Sequence, residues 1–385
     1  MIKIKDSLSG EIKDIKDSKS FDIYLCGPTV YDRVHIGNIR PIIMTDLFIR
    51  SINDLTKVNY TMNITDIDDK IIDRANSENV SFRSLSKKYE DLFLNTLSKL
   101  NIILPNQLPN VSNNIDTIKS FIDSLLDNEV AYKTKKGNIY FNLEKFNEYG
   151  KISKREINEL LSSSSVEDKQ NSIDFSIWKK YENDSYDSKW SKGRPGWHTE
   201  CAAIINNLYS NGIDLHVGGN DLKFPHHENE RAQFNSLNNY EISKNWMHVG
   251  QLNFNGEKMS KSKGNFLYAD DFIEEHGINT LKIIFYMTHY SKPINYTNSY
   301  LENAKVIDKK ISNVIKKISD KKYRDISNDG EMYKKFKDEI VKNELNTSNA
   351  ISVLLLTIKG INKNTEDSIL ISDFFKMLNH LGLVY

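Results

Sequence analysis

Short apolar runs alternate with longer segments of helical spacing at the start of the chain. Residues 21–26 form an apolar and aromatic run without a breaker, which is typical of a buried strand. Residues 39–53 then carry apolar side chains at helical spacing, and residues 57–65 repeat the strand pattern. Residues 66–72 start a helix with acidic side chains in its first turn, and residues 81–100 form another helix. This order predicts an α/β fold with a doubly wound parallel sheet.

The pattern changes between residues 114 and 192. An amphipathic helix, a hairpin signal at residues 136–138 and a polar tract at residues 162–170 replace the alternation. The polar tract predicts a mobile segment, and the whole stretch is typical of an insertion that splits an α/β domain. The strand and helix signals return from residue 193, and helical stripes follow from residue 301 to residue 385.

Composition and charge narrow the class of protein. The 385 residues contain 52 Lys and Arg and 52 Asp and Glu, so the net charge is zero and a polyanion would have to bind local patches. Cys26 and Cys201 are the two cysteines; their number and separation exclude a disulfide framework and favour a reducing, cytoplasmic compartment. Because no apolar run reaches membrane-spanning length and no signal segment starts the chain, we expect no membrane association.

The turn after the first predicted strand is a candidate reaction centre. Residues 26–38 read CGPTVYDRVHIGN, so a glycine-containing turn leads into a helix that begins between His35 and Asn38. The first backbone N–H groups of a helix lack partners and its dipole favours an anion, so this turn suits phosphate. A turn with an incidental buried cysteine fits the same residues, and the pattern alone leaves both interpretations open.

A second candidate site combines both cysteines with a predicted helix. His226 and Glu230 are four residues apart, so both project from one helix face. With Cys26 and Cys201 they form a Cys₂HisGlu set that suits tetrahedral zinc, because thiolates favour zinc over magnesium or calcium. Such a combination also arises by chance, so spacing alone leaves a purely structural interpretation open.

A lysine-rich stretch and a group of histidines add further polar chemistry. Residues 257–265 are rich in Ser, Gly and Lys, which predicts a surface loop. Its lysines suit the charge that develops in phosphoryl or nucleotidyl transfer, while a solvated basic turn is the ordinary alternative. Histidines cluster near predicted strand ends and helix starts, which indicates a polar pocket: His198, His216, His226, His227 and His248.

These motifs together resemble one enzyme family. Residues 26–38 are similar to the first signature of class I aminoacyl-tRNA synthetases in its cysteine-specific form, and residues 258–262, KMSKS, are similar to the second signature. Residues 193–201 and 224–230 resemble the segments that carry the remaining zinc ligands in the cysteinyl-tRNA synthetase family. The resemblance extends over about residues 20–385, in one order.

The resemblance implies roles for individual side chains. One Zn²⁺ ion would be held by Cys26, Cys201, His226 and Glu230. The cysteine pocket would be lined by Gly27, Thr65, Trp197 and Asp221. ATP would be contacted by Thr29, His35, Gly37, Asn38, Met259, Ser260 and Lys261, and the catalytic groups would be His35, Asn38, Lys258 and Lys261. The other clustered histidines would surround the pocket without an assigned role.

The implied activity is ATP-dependent conversion of L-cysteine to cysteinyl-adenylate, followed by transfer to tRNA(Cys). Mg²⁺ would accompany ATP, and the family implies a monomer. Zinc lowers the pKa of a thiol, whereas the hydroxyl of serine stays protonated, so coordination would select cysteine. We therefore expect no hydrolytic editing site in residues 114–192.

Pattern and resemblance together predict five segments. These are two halves of a Rossmann-like catalytic domain, a connective insertion, a stem-contact region with the KMSKS loop, and an all-α C-terminal bundle that contacts tRNA: residues 1–113 and 193–255, 114–192, 256–300 and 301–385. Bacterial relatives usually continue into a domain that reads the anticodon, and we expect no such separate domain in this sequence.

Two other functions fit parts of the pattern. A cysteine ligase of mycothiol biosynthesis uses the same scaffold, but its first signature usually ends in His, where this chain has Asn38. A synthetase-like RNA-binding or regulatory protein would have no reason to keep His35 and an intact KMSKS stretch. Both features favour the synthetase.

Overall fold

The computed structural model describes residues 2–15, 19–155, 168–259, 266–318 and 328–385. Its strands are β1 (Ile2–Lys5), β2 (Ile12–Ile15), β3 (Ser20–Leu25), β4 (Lys57–Met62), β5 (Ala131–Lys133), β6 (Ile139–Phe141), β7 (Phe175–Lys180), β8 (Gly193–Pro195), β9 (Leu215–Gly219), β10 (Trp246–Val249), β11 (Leu252–Phe254), β12 (Glu257–Lys258) and β13 (Ile294–Tyr296). Its α-helices are α1 (Ile36–Ile52), α2 (Asp69–Glu78), α3 (Phe82–Lys99), α4 (Ile115–Asp127), α5 (Trp197–Leu208), α6 (His226–Leu237), α7 (Ala269–His276), α8 (Ile278–Tyr286), α9 (Asn298–Lys317), α10 (Glu331–Val341), α11 (Thr347–Lys363) and α12 (Ser368–His380).

A parallel sheet with the order β10-β9-β3-β4 forms the centre of the α/β part. Side chains of β3 alternate between its two faces, as the two-residue period of a strand requires. Phe21, Ile23 and Leu25 join the core that contains α1, whereas Tyr24 joins the core on the other face, with residues of α5 and α6. The predicted α/β fold with a doubly wound parallel sheet is confirmed.

The region predicted as an insertion contains its own antiparallel sheet, in the order β5-β6-β7-β8. The predicted hairpin around residues 136–138 is confirmed, since β5 and β6 pair directly. Strand β8 lies beyond residue 192 but pairs with β7, so three residues that the sequence assigns to the catalytic half complete this sheet. The predicted mobile tract at residues 162–170 falls largely on residues 156–167, which are outside the described part of the chain.

A third sheet links the α/β part to the C-terminal helices, with the order β12-β11-β13. The surface loop predicted over residues 257–265 is wrong at its start, because Glu257 and Lys258 form β12 and Met259 is buried. Met259 packs into a hydrophobic core although its neighbours in the sequence are polar, and composition alone does not reveal such packing. Residues 260–265, the remainder of that loop, lie outside the described residues.

The C-terminal part is helical, as predicted, and consists of α9 to α12 over its described residues. Apolar stripes on these helices merge with the core around α1 and α8, so the bundle packs directly on the α/β part. Within the described ranges, no helix has both the length and the apolar character that crossing a bilayer requires.

Candidate metal and nucleotide site

Four potential metal ligands meet at the carboxyl edge of the parallel sheet. Cys26 directly follows β3 and packs on the same side as Tyr24, toward α5 and α6. Cys201 lies in α5, and His226 and Glu230 lie one turn apart in α6. The predicted ligand set is thus brought together by one strand end and two helices, because all three elements pack around the same face of the sheet.

The distances between these donor atoms fit a single ion. The Sγ atoms of Cys26 and Cys201 are 3.9 Å apart, and Cys26 Sγ lies 3.5 Å from Glu230 Oε1. His226 Nε2 lies 3.8 Å from Cys201 Sγ and 2.8 Å from Glu230 Oε1. All four donor atoms lie within 4.8 Å of one another. Because Zn–S bonds of about 2.3 Å place two sulfurs about 3.8 Å apart in a tetrahedron, the donor set and its spacing suit zinc.

The electrostatics of the cluster favour the ionised forms of Glu230 and Cys201 but the neutral form of Cys26. Burial opposes the ionisation of Glu230, but His216 and His226 outweigh it and hold the pKa of this carboxyl well below its usual range. Burial raises the pKa of the Cys26 thiol, whereas the hydrogen bond from Cys26 lowers the pKa of Cys201 to about 6 despite burial. One thiol of the pair therefore ionises more readily than a free cysteine.

The remaining clustered histidines surround this ligand set. His198 Nδ1 lies 2.8 Å from His226 Nδ1, and His216 Nε2 lies 2.7 Å from Glu230 Oε2. Hydrogen bonds from neighbouring side chains to metal ligands orient those ligands and set the tautomers of ligating histidines. His227, together with His216, Cys26 and Glu230, forms a second group whose donor atoms lie within the same 4.8 Å limit. The predicted ligands thus lie in a wider polar cluster of buried imidazoles.

Histidine contacts also reach the N-terminal hairpin. His227 Nδ1 lies 2.7 Å from His248 Nε2, and His248 Nδ1 lies 2.8 Å from Ser7 Oγ. Burial lowers the pKa values of His227 and His248 well below the usual value for histidine, so both rings favour the neutral form. A neutral imidazole can donate through one nitrogen and accept through the other, which suits a linear series of contacts.

The residues predicted for the cysteine pocket lie around the same edge. Gly27 follows Cys26, and a Cβ atom there would lie 1.7 Å from the carbonyl oxygen of Asn63, so only glycine fits. Thr65 is buried next to this contact, and its Oγ1 donates to Glu200 Oε2 at 3.2 Å. Asn63 and Glu200 were not among the predicted residues, since their role depends on contacts between distant segments.

Trp197 and Asp221 occupy more open positions. Trp197 is 37% exposed, and its ring centroid lies 4.5 Å from that of His226, so it covers one side of the ligand cluster. Asp221 lies in the short 3-10 helix Asn220–Lys223 that follows β9. A Cβ atom at Gly219 would come within 2.5 Å of Asp221 Oδ1, so this carboxylate lies against the strand end.

The predicted nucleotide site lies at the start of α1. His35 is the N-cap, and its Nδ1 accepts from the backbone N–H of Gly37 at 3.0 Å, while Asn38 Oδ1 accepts from the His35 N–H at 3.3 Å. Thr29 pairs with Thr65 through an isolated bridge at the same sheet edge. A helix N-terminus of this kind is suited to an anion.

The second signature approaches this helix start. A Cβ atom at Gly37 would lie 3.0 Å from Met259 Cε, so the residue after β12 contacts the first turn of α1. The backbone of Lys258 belongs to β12, whereas Ser260 and Lys261 lie outside the described residues. The two signatures are therefore adjacent where the structure describes them.

Comparison with known proteins gives a consistent family. A family model described as the class I (C) tRNA synthetase catalytic domain matches residues 12–306. A "Cysteine--tRNA ligase" of Mesoplasma florum is 44% identical over 374 residues, which cover 94% of this chain and 84% of that protein. A protein of the same name from Mycoplasma mycoides subsp. mycoides is 43% identical over 390 residues, covering 98% of this chain and 87% of that one.

Solved structures support the same fold. Mycobacterium tuberculosis methionyl-tRNA synthetase in complex with methionyl-adenylate has a TM-score of 0.67, with 13% identity, and the match covers 94% of this chain and 89% of that chain. At this identity the likeness to the solved structure shows the fold alone. The sequence relatives show which family of class I tRNA synthetases the chain resembles. The chain therefore belongs to the cysteine--tRNA ligase family of class I tRNA synthetases.

Proposed function

We propose that this enzyme activates L-cysteine with ATP and transfers the product to tRNA(Cys). In the first step a carboxylate oxygen of cysteine attacks the α-phosphorus, and the bond to pyrophosphate breaks. In the second step a ribose hydroxyl of the tRNA attacks the carbonyl carbon, and AMP leaves. The observation that carries this proposal is the Cys₂HisGlu donor cluster at the same sheet edge as the N-terminus of α1.

The proposed metal is zinc, with Cys26, Cys201, His226 and Glu230 as ligands. When bound, zinc supplies a site for the substrate thiolate, whereas the hydroxyl of serine keeps its proton. Around it, His216 holds Glu230 through Oε2 and leaves Oε1 directed at the other donors. Selectivity of this kind does not depend on pocket size, which discriminates poorly between near isosteres.

Residues of the two signatures are proposed to bind ATP, with Mg²⁺ as its counterion. Backbone N–H groups at the start of α1 would hold phosphate oxygens, with His35 and Asn38 beside them. Thr29, Gly37 and Met259 would line this site, and Ser260 would belong to the loop that covers ATP. Lys258 and Lys261 would stabilise charge on the α-phosphate as pyrophosphate leaves.

The amino acid would bind between the donor cluster and the β4 end. Gly27 and Thr65 would contact its backbone groups, Trp197 would cover it and Asp221 would approach from the end of β9. This arrangement is supported by the contact of Trp197 with His226 and by the bridge between Thr65 and Thr29, which lies in the turn after β3. The substrate carboxylate would then extend toward the start of α1.

The transfer partner is proposed to be tRNA(Cys), which the names of the relatives favour over an aminosugar. The protein would act as one monomer that contains the catalytic halves (1–113 and 193–255), the insertion (114–192), the stem-contact region (256–300) and the bundle (301–385). It would act in the cytoplasm, where the two free cysteines stay reduced. Phosphate contacts would make tRNA binding steeply dependent on salt.

The zinc-loaded protein tests this proposal directly. We expect cysteine-dependent exchange of pyrophosphate into ATP, little exchange with serine, and charging of tRNA(Cys). An aminosugar-inositol acceptor should remain unmodified in a parallel assay. Exchange without tRNA charging, together with modification of the aminosugar, would overturn the assignment of the acceptor; the absence of any exchange would overturn the activity itself.

A further inference from the structure

Arg40 is a buried cation that joins α1 to the third sheet. It is 0% exposed and follows Asn38 by two residues in the helix whose start is the proposed nucleotide site. Its Nη1 donates to the carbonyl oxygen of Gly250 at 2.6 Å and to that of Lys292 at 2.8 Å. Its Nη2 donates to the carbonyl oxygen of His289 at 3.1 Å. Three backbone carbonyls from two distant segments therefore converge on one guanidinium group.

Two of these acceptors lie just before strands of the third sheet. Gly250 lies two residues before β11, and Lys292 lies two residues before β13. Strands β11 and β13 are parallel neighbours, and the two acceptors are in direct contact, since a Cβ atom at Gly250 would overlap the carbonyl oxygen of Lys292. Arg40 thus holds the point from which both strands start.

The same sheet carries the second signature to the start of α1. Strand β12 pairs with β11, with Lys258 opposite Asn253. The next residue is Met259, and its Cε would lie 3.0 Å from a Cβ atom at Gly37. A shift of the third sheet relative to α1 would therefore change the spacing between the two signatures. The hydrogen bonds of Arg40 span this junction.

We propose that Arg40 is a positioning residue for adenylate formation. By binding the three carbonyls it fixes the third sheet against α1, and so sets where the backbone of Lys258 and the side chain of Met259 lie relative to the proposed phosphate site. The inference rests on the proposed function. It adds a residue that is fully buried and acts through these contacts.

A simpler interpretation is that Arg40 contributes to stability alone. Arg50 on the same helix offers a comparison, because it also donates to two backbone carbonyls, those of Asn379 and Asn101. Its contacts lead to α12 and to the segment after α3, and Asp46 balances its charge. Among the residues that the structure describes, no carboxylate pairs with Arg40, so carbonyl dipoles alone offset the cost of its burial. The two arginines therefore separate a general effect on stability from an effect on the nucleotide site.

Single-turnover kinetics of the zinc-loaded protein distinguish these interpretations. In Arg40→Met, adenylate formation at saturating ATP and cysteine should be about 30-fold slower, because small displacements of reacting groups are costly, while the Kd for cysteine changes less than about twofold. Arg40→Lys should restore most of the rate, since one ammonium group can replace Nη1 between Gly250 and Lys292. Arg50→Met is the matched control; it should lower stability and leave the rate within about twofold of the wild type.

Hydrogen exchange gives a second readout that does not depend on activity. In Arg40→Met, the backbone amides of residues 252–258 and 294–296 should exchange about tenfold faster, because the sheet opens more readily without its anchor. Arg50→Met should leave these amides unchanged. Arg40→Gln is neutral and shorter than arginine, and it should give the same selective slowing of adenylate formation if Arg40→Met does not fold.

An unchanged rate in the folded Arg40 variants, or equal slowing in Arg50→Met, would overturn the positioning role. A parallel loss of cysteine affinity, or unchanged hydrogen exchange in Arg40→Met, would overturn it as well. If the zinc-loaded wild-type protein shows no cysteine-dependent pyrophosphate exchange, the proposed function fails and the positioning role fails with it. Zinc content measured on every variant distinguishes a lost ion from a displaced sheet.

Discussion

The candidate metal site and the C-terminal bundle both bury histidines, but with different partners. At the candidate metal site, His216 and His226 converge on the single carboxylate of Glu230, and all three residues are 2% exposed or less. In the bundle, His380 lies between two hydroxyl groups, with Ser51 Oγ at 3.0 Å and Tyr333 OH at 3.2 Å. Opposite charges offset burial in the first region, whereas the second keeps its histidine neutral.

The buried carboxylates of the two regions differ in the same way. Asp373 in α12 accepts hydrogen bonds from the backbone N–H groups of Gly330, Met332 and Tyr333, and so satisfies the start of α10. Glu230 instead contacts other ionisable side chains. Burial of an acid is thus no sign of chemistry by itself; convergence of several ionisable groups on one point is the informative feature.

The largest effect expected from this comparison is in Cys201→Ser. This change removes a thiolate ligand, and we expect loss of bound zinc and cysteine activation at least about 1000-fold slower. Metal content and pyrophosphate exchange measure the two effects. His380→Gln in the bundle is the control and should retain one zinc ion. Normal activation by Cys201→Ser without bound metal would refute the ligand assignment.

The opposite result is expected when the bundle core is changed. Phe336 is 0% exposed, so Phe336→Ala should lower the free energy of unfolding by about 4 kcal/mol while the folded protein keeps its zinc. Denaturant unfolding and metal content measure this separation. Leu356 is 60% exposed on α11, and Leu356→Ala should change stability by less than about 0.5 kcal/mol. Loss of zinc from folded Phe336→Ala would contradict the division into two regions.

Lysines provide a third comparison. Lys261→Ala should slow adenylate formation about 100-fold, about 3 kcal/mol of transition-state stabilisation, with little change in cysteine affinity. Single-turnover kinetics and cysteine titration separate these quantities. Lys363→Ala, at the exposed end of α11, should leave both unchanged. A matching loss of cysteine affinity in Lys261→Ala would remove this lysine from the proposed catalytic role.

The smallest effect concerns pH and the bundle histidine. Burial, with Lys337 and Arg50 nearby, lowers the pKa of His380 to about 4. The unfolded chain binds this proton near about pH 6.5, so between about pH 6.5 and about pH 4 it holds more protons than the folded protein. The free energy of unfolding therefore falls as the pH falls through this range.

Between about pH 7.5 and about pH 5, this group should cost about 2 kcal/mol of unfolding free energy. His380→Gln should lack that component, which denaturant titrations of wild type and variant at both pH values would measure. Identical pH dependence in the two proteins would contradict a buried neutral His380.

Local pattern was sufficient for most elements but not for their pairing. An unbroken apolar run predicted β3, and helical spacing predicted α1 and the C-terminal helices, because burial of one helix face leaves a periodic record in the sequence. Strand β8 and the burial of Met259 were not predicted, because each depends on a neighbour that is distant along the chain.

The sequence by itself determined the repertoire of this protein: two thiols, a helical His/Glu pair, a glycine turn that opens a helix, and a family resemblance based on them. Tertiary structure decided their arrangement. The sheet order and the alternating faces of β3 bring Cys26 to Cys201, and the segment after β4 meets the first turn of α5 through the hydrogen bond between Thr65 and Glu200. Periodicity is local, whereas such contacts depend on how whole elements pack, which no short stretch of sequence encodes.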